Sequence, residues 1–381
     1  MKKTGGVNLT EGKRYHYIIN ESGDLKDTEN KKTIVVKVDK ERVELDKIRL
    51  AADIIKGGGL VAFPTETVYG LGADALNAEA VMKTFKAKMR PPDNPLIVHV
   101  AAKEEVYRLA MNVPNEADKL MNKFWPGPLT LVLKASEIVP KVTTAGLDTV
   151  AIRMPNHKVA LSLVRESETP IVGPSANLAG KPSPTIAEHV LQDLAGKIDM
   201  ILDAGSTEVG VESTVLDMTV HPPQILRPGG TTYEKLKGTL DQVELHPTVL
   251  PEREAPVTYP RSPGMKYRHY APNAKLILVE GEPNAIKKKV RELANLYMKD
   301  GKRVGIMTTD ENKSAYNAGV IRSLGSRREL TIIARNLFRI LREIDEEKVD
   351  VIIAEGIPPK GLGLAVINRL KKASGFNIVK A

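Results

Sequence analysis

The sequence predicts an α/β protein: a mixed, twisted sheet with flanking helices, followed by a smaller α/β unit of doubly wound pattern. Three observations carry this. The chain has 381 residues, room for about two domains of ordinary size. Short apolar runs interleave with helical periodicities over about 200 residues. A Pro-rich stretch, HPTVLPEREAPVTYPRSPGMKYRHYAP over 246–272, then separates this pattern from a second one.

The elements follow in order. Residues 1–32 are polar and punctuated by Gly5-Gly6 and Ser22-Gly23, and read as an N-terminal extension. Thr33–Val38 opens a first domain, predicted to span 33–245. The spacing of Leu45, Ile48, Ala52 and Ile55 predicts a helix, stopped by Gly57-Gly58-Gly59. Strands are predicted at Leu60–Phe63, Pro95–Val100, Leu129–Leu133, Thr149–Ile152, Pro170–Val172, Met200–Leu202, Ser213–Leu216 and Gln224–Leu226. Helical patterns fall near 77–88, 103–110, 115–123, 157–165 and 186–194. Strands near 129–152 and 213–226 follow one another directly, so the sheet should be mixed. Residues 246–272 read as an extended interdomain linker. The second domain, 273–381, carries strands at Lys275–Val279, Arg303–Met307 and Val349–Ile353, with helices near 283–298 and 330–344. In the later helix Ile333, Leu337, Ile340 and Leu341 share a face.

Composition narrows the chemistry. The chain contains no cysteine, which removes thiol nucleophiles, disulfide scaffolds and Cys-based metal sites. No apolar run reaches the roughly 20 residues of a spanning helix, and the N-terminus lacks an apolar signal core, so a cytoplasmic protein without a membrane role is expected. The net charge of +9 is concentrated: Lys275–Ala381 holds 21 basic and 13 acidic residues, leaving the first 274 residues close to neutral. An anion site in the first domain must therefore be a local cluster. Aromatic residues make up 4% of the chain, too few for a base-stacking platform.

Six residue groups could carry chemistry. Pro64-Thr-Glu-Thr-Val-Tyr-Gly-Leu-Gly72 follows a strand and reads as a polar strand-to-helix turn. Gly70-x-Gly72-x-x-Ala75 formally fits a dinucleotide fingerprint, with Asp93 as its acid, but starts too far past the strand. Lys88-Met-Arg90-Pro-Pro-Asp-Asn94 closes a helix begun at Asn77; its cations suit either the helix dipole or a phosphate clamp. His99 lies in the strand beyond. Arg153 closes another strand. Gly173-Pro-Ser175-Ala-Asn177-Leu-Ala-Gly180-Lys-Pro-Ser183 fails both the Walker spacing and the nucleophile elbow, leaving a turn rich in small hydrogen-bonding groups. Glu212-Ser213-Thr214 pairs with Arg227-Pro-Gly-Gly at strand ends. Lys266-Tyr-Arg-His-Tyr270 is dense for a linker and suits a segment covering a site. Hydroxyls, glycines and arginines recur, with no His pair of metal-ligand spacing. The inventory suits positioning and charge stabilisation of a polyanion rather than covalent catalysis.

These groups, in this order, resemble the two-domain form of the threonylcarbamoyl-AMP synthases, the YrdC-like family of tRNA modification. PTETVYGLG, KxRPxxNPLIVHV, PGPLTLVL, AIRMP, PSAN, STV, LRPG and SPGMKYRHYAP carry the resemblance, and GLGLAVINRLKKA near 361–373 resembles the end of the second domain. It implies a YrdC-like mixed sheet followed by a smaller Rossmann-like domain. It implies a nucleotidyltransferase that condenses L-threonine, bicarbonate or CO2, and ATP into L-threonylcarbamoyladenylate, releasing pyrophosphate. A tRNA threonylcarbamoyl transferase system would take the product to position 37 of tRNAs reading ANN codons, direct RNA binding not being required. By motif position, Thr67, His99, Arg153, Gly173 and Ser213 would contact threonine. Arg90, Asn94, Thr149, Ser175, Ser183, Arg227 and Tyr267 would contact ATP, with Lys88 and Arg90 at the phosphates. His269 would help the linker close the site, and the second domain would position that linker. Mg2+ would accompany ATP, held by phosphate oxygens and water rather than by a protein metal site. Met89 stands where the motif usually has glycine. Two alternatives differ in class: a carbamoyl-adenylate or carbamoyl-transfer enzyme, disfavoured by the missing cysteines, and a double-stranded RNA-binding module suggested by the basic C-terminal part.

Overall fold

A computed structural model describes residues 32–250, 269–317 and 319–381. The extension expected over 1–32, Tyr267 and all of the linker from 251 to 268 therefore lie outside the described residues, apart from Lys32.

The first unit runs, in chain order, β1 (Ile34–Lys37), α1 (Leu45–Lys56), β2 (Val61–Phe63), β3 (Gly70–Asp74), α2 (Ala78–Ala87), β4 (Ile97–His99), α3 (Val106–Leu109), β5 (Ala110–Met111), α4 (Asn115–Phe124), β6 (Leu129–Ala135), β7 (Thr149–Arg153), α5 (Lys158–Ser167), β8 (Ile171–Val172), α6 (Ala187–Leu194), β9 (Met200–Asp203), β10 (Thr214–Asp217), β11 (Gln224–Arg227), α7 (Tyr233–Lys237) and β12 (Glu244–Leu245). The strands form one 12-stranded sheet in the order β1-β9-β2-β3-β8-β4-β7-β6-β10-β11-β12, with β5 beside β6. It is mixed, as expected: β4/β7 and β6/β10 are parallel, while β6/β7 and β10/β11 are antiparallel. A core of Tyr69, Leu71, Phe85, Leu120 and Ile201 fills one side, and Ile48, Ile55, Phe63 and Leu163 fill another.

One expectation is corrected. Gly70–Asp74 is not a strand-to-helix turn but a strand, antiparallel to β2 with Phe63 opposite Gly70. Pro64–Tyr69 makes the reversal. A Cβ on Gly70 would stand 3.0 Å from the Phe63 ring, and one on Gly72 would stand 2.9 Å from the Val61 carbonyl oxygen. These glycines admit the neighbouring strand's bulk, so the dinucleotide fingerprint is not realised. The helix expected over 103–110 is also shorter: Lys103–Glu105 forms a 3-10 turn before α3, and the chain then enters β5.

α2 shows how the sequence places a functional loop. The Asn77 side chain accepts from the backbone N–H groups of Glu79 and Ala80 at 3.0 and 3.1 Å, capping the helix start. At the other end Met89 turns left-handed, with φ at 52°. Glycine would hold that turn without steric cost, which gives a physical reason for the glycine usual in the motif.

The second unit comprises β13 (Lys275–Glu280), α8 (Pro283–Lys299), β14 (Val304–Thr308), β15 (Val320–Ser323), α9 (Leu330–Glu346), β16 (Val351–Glu355), α10 (Leu362–Ala373) and β17 (Ile378–Lys380). Its strand order is β15-β14-β16-β13-β17, and every pairing is parallel. α8 packs on one face through Ile286, Val290 and Ala294. α9 and α10 cover the other through Ile333, Leu337, Leu341 and Leu370. The short β15 and β17 have no counterpart among the predicted strands.

The units are locked together. Val68 and Val211 of the first unit lie in the apolar core of the second. Arg342 of α9 donates to Asp193 at 2.8 Å and to the Pro182 carbonyl at 2.6 Å. Gly210, at φ 77°, lets the chain pass α9; a Cβ there would stand 2.3 Å from the Arg335 Cα. No helix among the described residues is long and apolar enough to cross a membrane.

Candidate active site

The pocket lies where strand ends and their loops meet. Parallel pairing sets His99 of β4 beside Arg153 of β7, and antiparallel pairing sets His99 beside Ile171 of β8. Gly173 follows β8. The loop beyond runs along β3: Leu71 N–H donates to the Pro174 carbonyl at 2.7 Å, and Ala176 N–H to the Tyr69 carbonyl at 2.8 Å. Ser213 leads into β10, and Arg227 ends β11. A cavity of about 70 Å³ collects Thr67, Arg90, Arg153, Gly173, Ser175, Ser183, Ser213, Arg227 and His269, all expected from sequence.

Within it the polar groups hold one another in place. Arg153 and Glu66 form a buried pair at 2.6 Å, and the Arg153 Nε donates to the Gly127 carbonyl at 3.3 Å. Glu66 Oε1 has no hydrogen-bond partner among the described residues. Thr65 and Thr67 share a hydroxyl hydrogen bond of 2.8 Å. Arg227 donates from Nε to the Ser213 carbonyl at 3.1 Å and from one terminal nitrogen to the Ser213 hydroxyl at 3.1 Å. That hydroxyl meets Thr130 at 2.7 Å. Burial is the main cause lowering the Arg227 guanidinium from its ordinary value.

Glu212 ties the pocket to the second unit. It accepts from the Ser183 hydroxyl at 2.5 Å and from Nε of Arg369 on α10 at 2.8 Å. Burial pushes its carboxyl up, but Arg369 and then Arg227 outweigh this and hold it at about 2. The Arg369 guanidinium sits 5.3 Å from the Tyr270 ring centroid, and Tyr270 stacks on Phe338 of α9 at 5.2 Å. The linker's end is thus clamped, with Ala271 N–H donating to the Gly180 carbonyl at 2.8 Å.

Four predicted residues do not line the cavity. Lys88 is 3% exposed and sits beneath the Ser175 loop, its Nζ donating to the carbonyls of Ser175 and, at 2.7 Å, Asn177. Burial first, and Arg90 second, bring its ammonium down to about 7. The ammonium thus braces the loop that carries Ser175. His99 lies behind Gly173, where a Cβ would approach its Cε1 to 2.4 Å. Its ring packs edge-on to Phe63, and Nδ1 has no partner among the described residues. Burial, then the Arg153 charge, holds it at about 3, so the imidazole is neutral. Asn94 is buried; its carbonyl accepts from Arg90 at 2.8 Å, while its side-chain amide has no partner among the described residues. Thr149 opens β7, about 13 Å along the strand from Arg153.

Sequence reasoning passed over Glu66, Glu212 and Arg369 as individuals. Glu66 and Glu212 stood inside quoted motifs with nothing to separate them from their neighbours. Arg369 lies 157 positions from its partner; only the resemblance of 361–373 pointed to its helix.

No three His, Asp or Glu side chains converge as a metal cage among the described residues. Both pocket carboxylates are engaged by arginine. The pocket can therefore bind an anion and present hydroxyl donors.

Residues 53–229 match a family model described as "Telomere recombination", and residues 231–375 match one described as "Threonylcarbamoyl-AMP synthase, C-terminal domain". The threonylcarbamoyl-AMP synthase of Pyrococcus abyssi is 53% identical, over 91% of this chain and 99% of that protein. The Bacillus subtilis enzyme of that name is 49% identical, over 88% of this chain and 94% of its own. A crystal structure of Pyrococcus abyssi Sua5 complexed with L-threonine superposes with a TM-score of 0.87 at 52% identity, covering 92% of this chain and 100% of that one.

Proposed function

The chain belongs to the threonylcarbamoyl-AMP synthase family, and on that footing we propose that the pocket around Arg90, Arg153 and Arg227 is where L-threonine, bicarbonate-derived CO2 and ATP meet. The chemistry is adenylation. The threonine nitrogen bonds to the carbon of CO2 and loses a proton, giving a carbamate. A carbamate oxygen then attacks the α-phosphorus of ATP, the bond to the β-phosphate oxygen breaks, and pyrophosphate leaves.

No protein nucleophile is needed. The pocket must align the oxygen and phosphorus, spread the developing charge and keep water from a labile carbamate. The observation that carries this reading is the convergence of three guanidiniums with Thr67, Ser175, Ser183 and Ser213 in one cavity. Arg153, steered by Glu66, takes the threonine carboxylate. The neutral His99 and Gly173 form the floor beneath the amino acid, with Thr67 and Ser213 at its side. Arg90 and Arg227 take the phosphates, Ser175 and Ser183 donate to them, and Lys88 holds the Ser175 loop in position. Asn94 and Thr149, buried outside the cavity, stay assigned to the rest of the nucleotide, and His269 lines the cavity. Mg2+ enters bound to ATP as part of that substrate, because the pocket carboxylates are already paired. The product passes to a tRNA threonylcarbamoyl transferase system.

The test is pyrophosphate release from ATP and Mg2+ with bicarbonate and L-threonine. Release should need threonine. Release that continues at the same rate without threonine would overturn the reading.

A further inference from the structure

The second unit holds a crevice that the adenylation chemistry does not use. β13 and β16 are sheet neighbours, yet the chain leaves β13 for α8 on one face and leaves β16 for α10 on the other. Where neighbouring parallel strands diverge in this way, a cleft opens at their carboxyl ends, and ligands bind there in open α/β sheets. Here that cleft is a cavity of about 490 Å³, within the usual range for small-molecule sites.

Its lining is chemically divided. Arg327 and Lys371 supply cations. Arg327 donates to the Gly356 carbonyl at 2.9 Å and pairs with Glu355 at 3.3 Å, while its buried Nε–H has no partner among the described residues. Among the described residues Lys371 makes a long ion pair with Glu280, at 3.4 Å. α8, of 17 residues, starts at the cleft with no side-chain cap; Pro283 has no N–H, so the N–H groups of the residues after it add positive character beside those cations, with Glu282 also in the lining. Glu280 pairs through one oxygen with Lys380 at 2.6 Å and keeps lone pairs that can accept from hydroxyl groups. Ile357, Pro358 and Ile367 form an apolar wall.

We propose that this crevice is a second ligand site and takes a mononucleotide: phosphate toward Arg327, Lys371 and the α8 start, ribose hydroxyls toward Glu280, base against the apolar wall. The site lies on a helix that also serves the catalytic pocket. Ile367 and Lys371 of α10 line the crevice, whereas Arg369, on the other side of α10, reaches Glu212.

The test is calorimetric titration of the full chain with AMP, and separately with inorganic phosphate. Two AMP sites per chain are expected. Lys371→Met should weaken one of them at least tenfold while threonine-dependent pyrophosphate release at saturating substrates stays within about twofold. Arg327→Lys, which keeps a cation for Glu355, should act likewise. No AMP binding by the unsubstituted chain would overturn the proposal, as would AMP sites, one or two, that are all indifferent to both substitutions. Phosphate binding as tight as AMP at the Lys371-sensitive site would also overturn it, showing an anion hole rather than a nucleotide site. Failure of the catalytic reading is separable: Arg227→Ala should remove only the Lys371-insensitive site, and if it removes neither, the assignment of Arg227 fails while the crevice stands.

Discussion

The two crevices of this molecule are built by opposite means. The catalytic pocket is small, about 70 Å³, and draws its lining from loops scattered between Thr67 and Tyr270. Its charged groups already hold one another: Arg153 on Glu66, Arg227 on Ser213, Arg369 on Glu212. The crevice of the second unit is about 490 Å³ and arises from the divergence of two neighbouring strands. The first is specified by side chains and is legible as motifs; the second is specified by chain topology and left almost no mark in the sequence. Preorganisation follows the same divide. Groups fixed before the substrate arrives stabilise a transition state without having to reorient, and only the first crevice has them in number.

The comparison can be broken most sharply at Arg227. Arg227→Ala should lower threonine-dependent pyrophosphate release by about 10²-fold or more, with a circular-dichroism melting curve that remains cooperative. Equal loss from Lys371→Met would erase the contrast between the two crevices. Next is the tie between the units. Glu212→Ala leaves the buried Arg369 without its carboxylate, with the Asn368 side-chain oxygen at 2.8 Å and the Tyr270 ring as its remaining contacts, and unpairing a buried charge costs about 3–5 kcal/mol. Urea unfolding should show that loss, and the Glu212→Ala/Arg369→Met double variant should lose less than the two single effects combined.

Acid provides a finer probe. Glu212 is held near 2 when folded against an ordinary 4.5. Because the folded value is the lower one, its contribution is complete above about pH 4.5 and fades as pH falls toward 2. Glu212→Gln should therefore flatten stability against pH within that window, by chemical unfolding at each pH, and leave the dependence above it unchanged. The smallest effect belongs to the turn after α2. Met89→Gly relieves a left-handed side chain at φ 52° and should raise stability by about 0.5–1 kcal/mol, read as a higher urea midpoint with unaltered slope.

Much of this was readable before the coordinates. Helices α1, α2, α4, α5, α8 and α9 followed from apolar spacing, and the mixed sheet followed from successive strands without an intervening helix. Gly70–Asp74 was misread as part of a strand-to-helix turn because its glycines are turn formers, when they make room for Phe63 and the Val61 carbonyl. The setting of Lys88 was not legible, because sequence does not reveal that carbonyls of residues 175 and 177 fold over it. Arg369 was out of reach altogether: its partner is set by how two units dock, not by any local pattern. The same holds for the 490 Å³ cleft, which exists only once strand order is known.

The seam formed by Val68 and Val211 has a further bearing. Both valines are sealed by the second unit's apolar residues, so a molecule trimmed after the first sheet would present them to water next to its own catalytic pocket. Shuffling the two halves between homologues should therefore succeed best when both sides of this seam travel together.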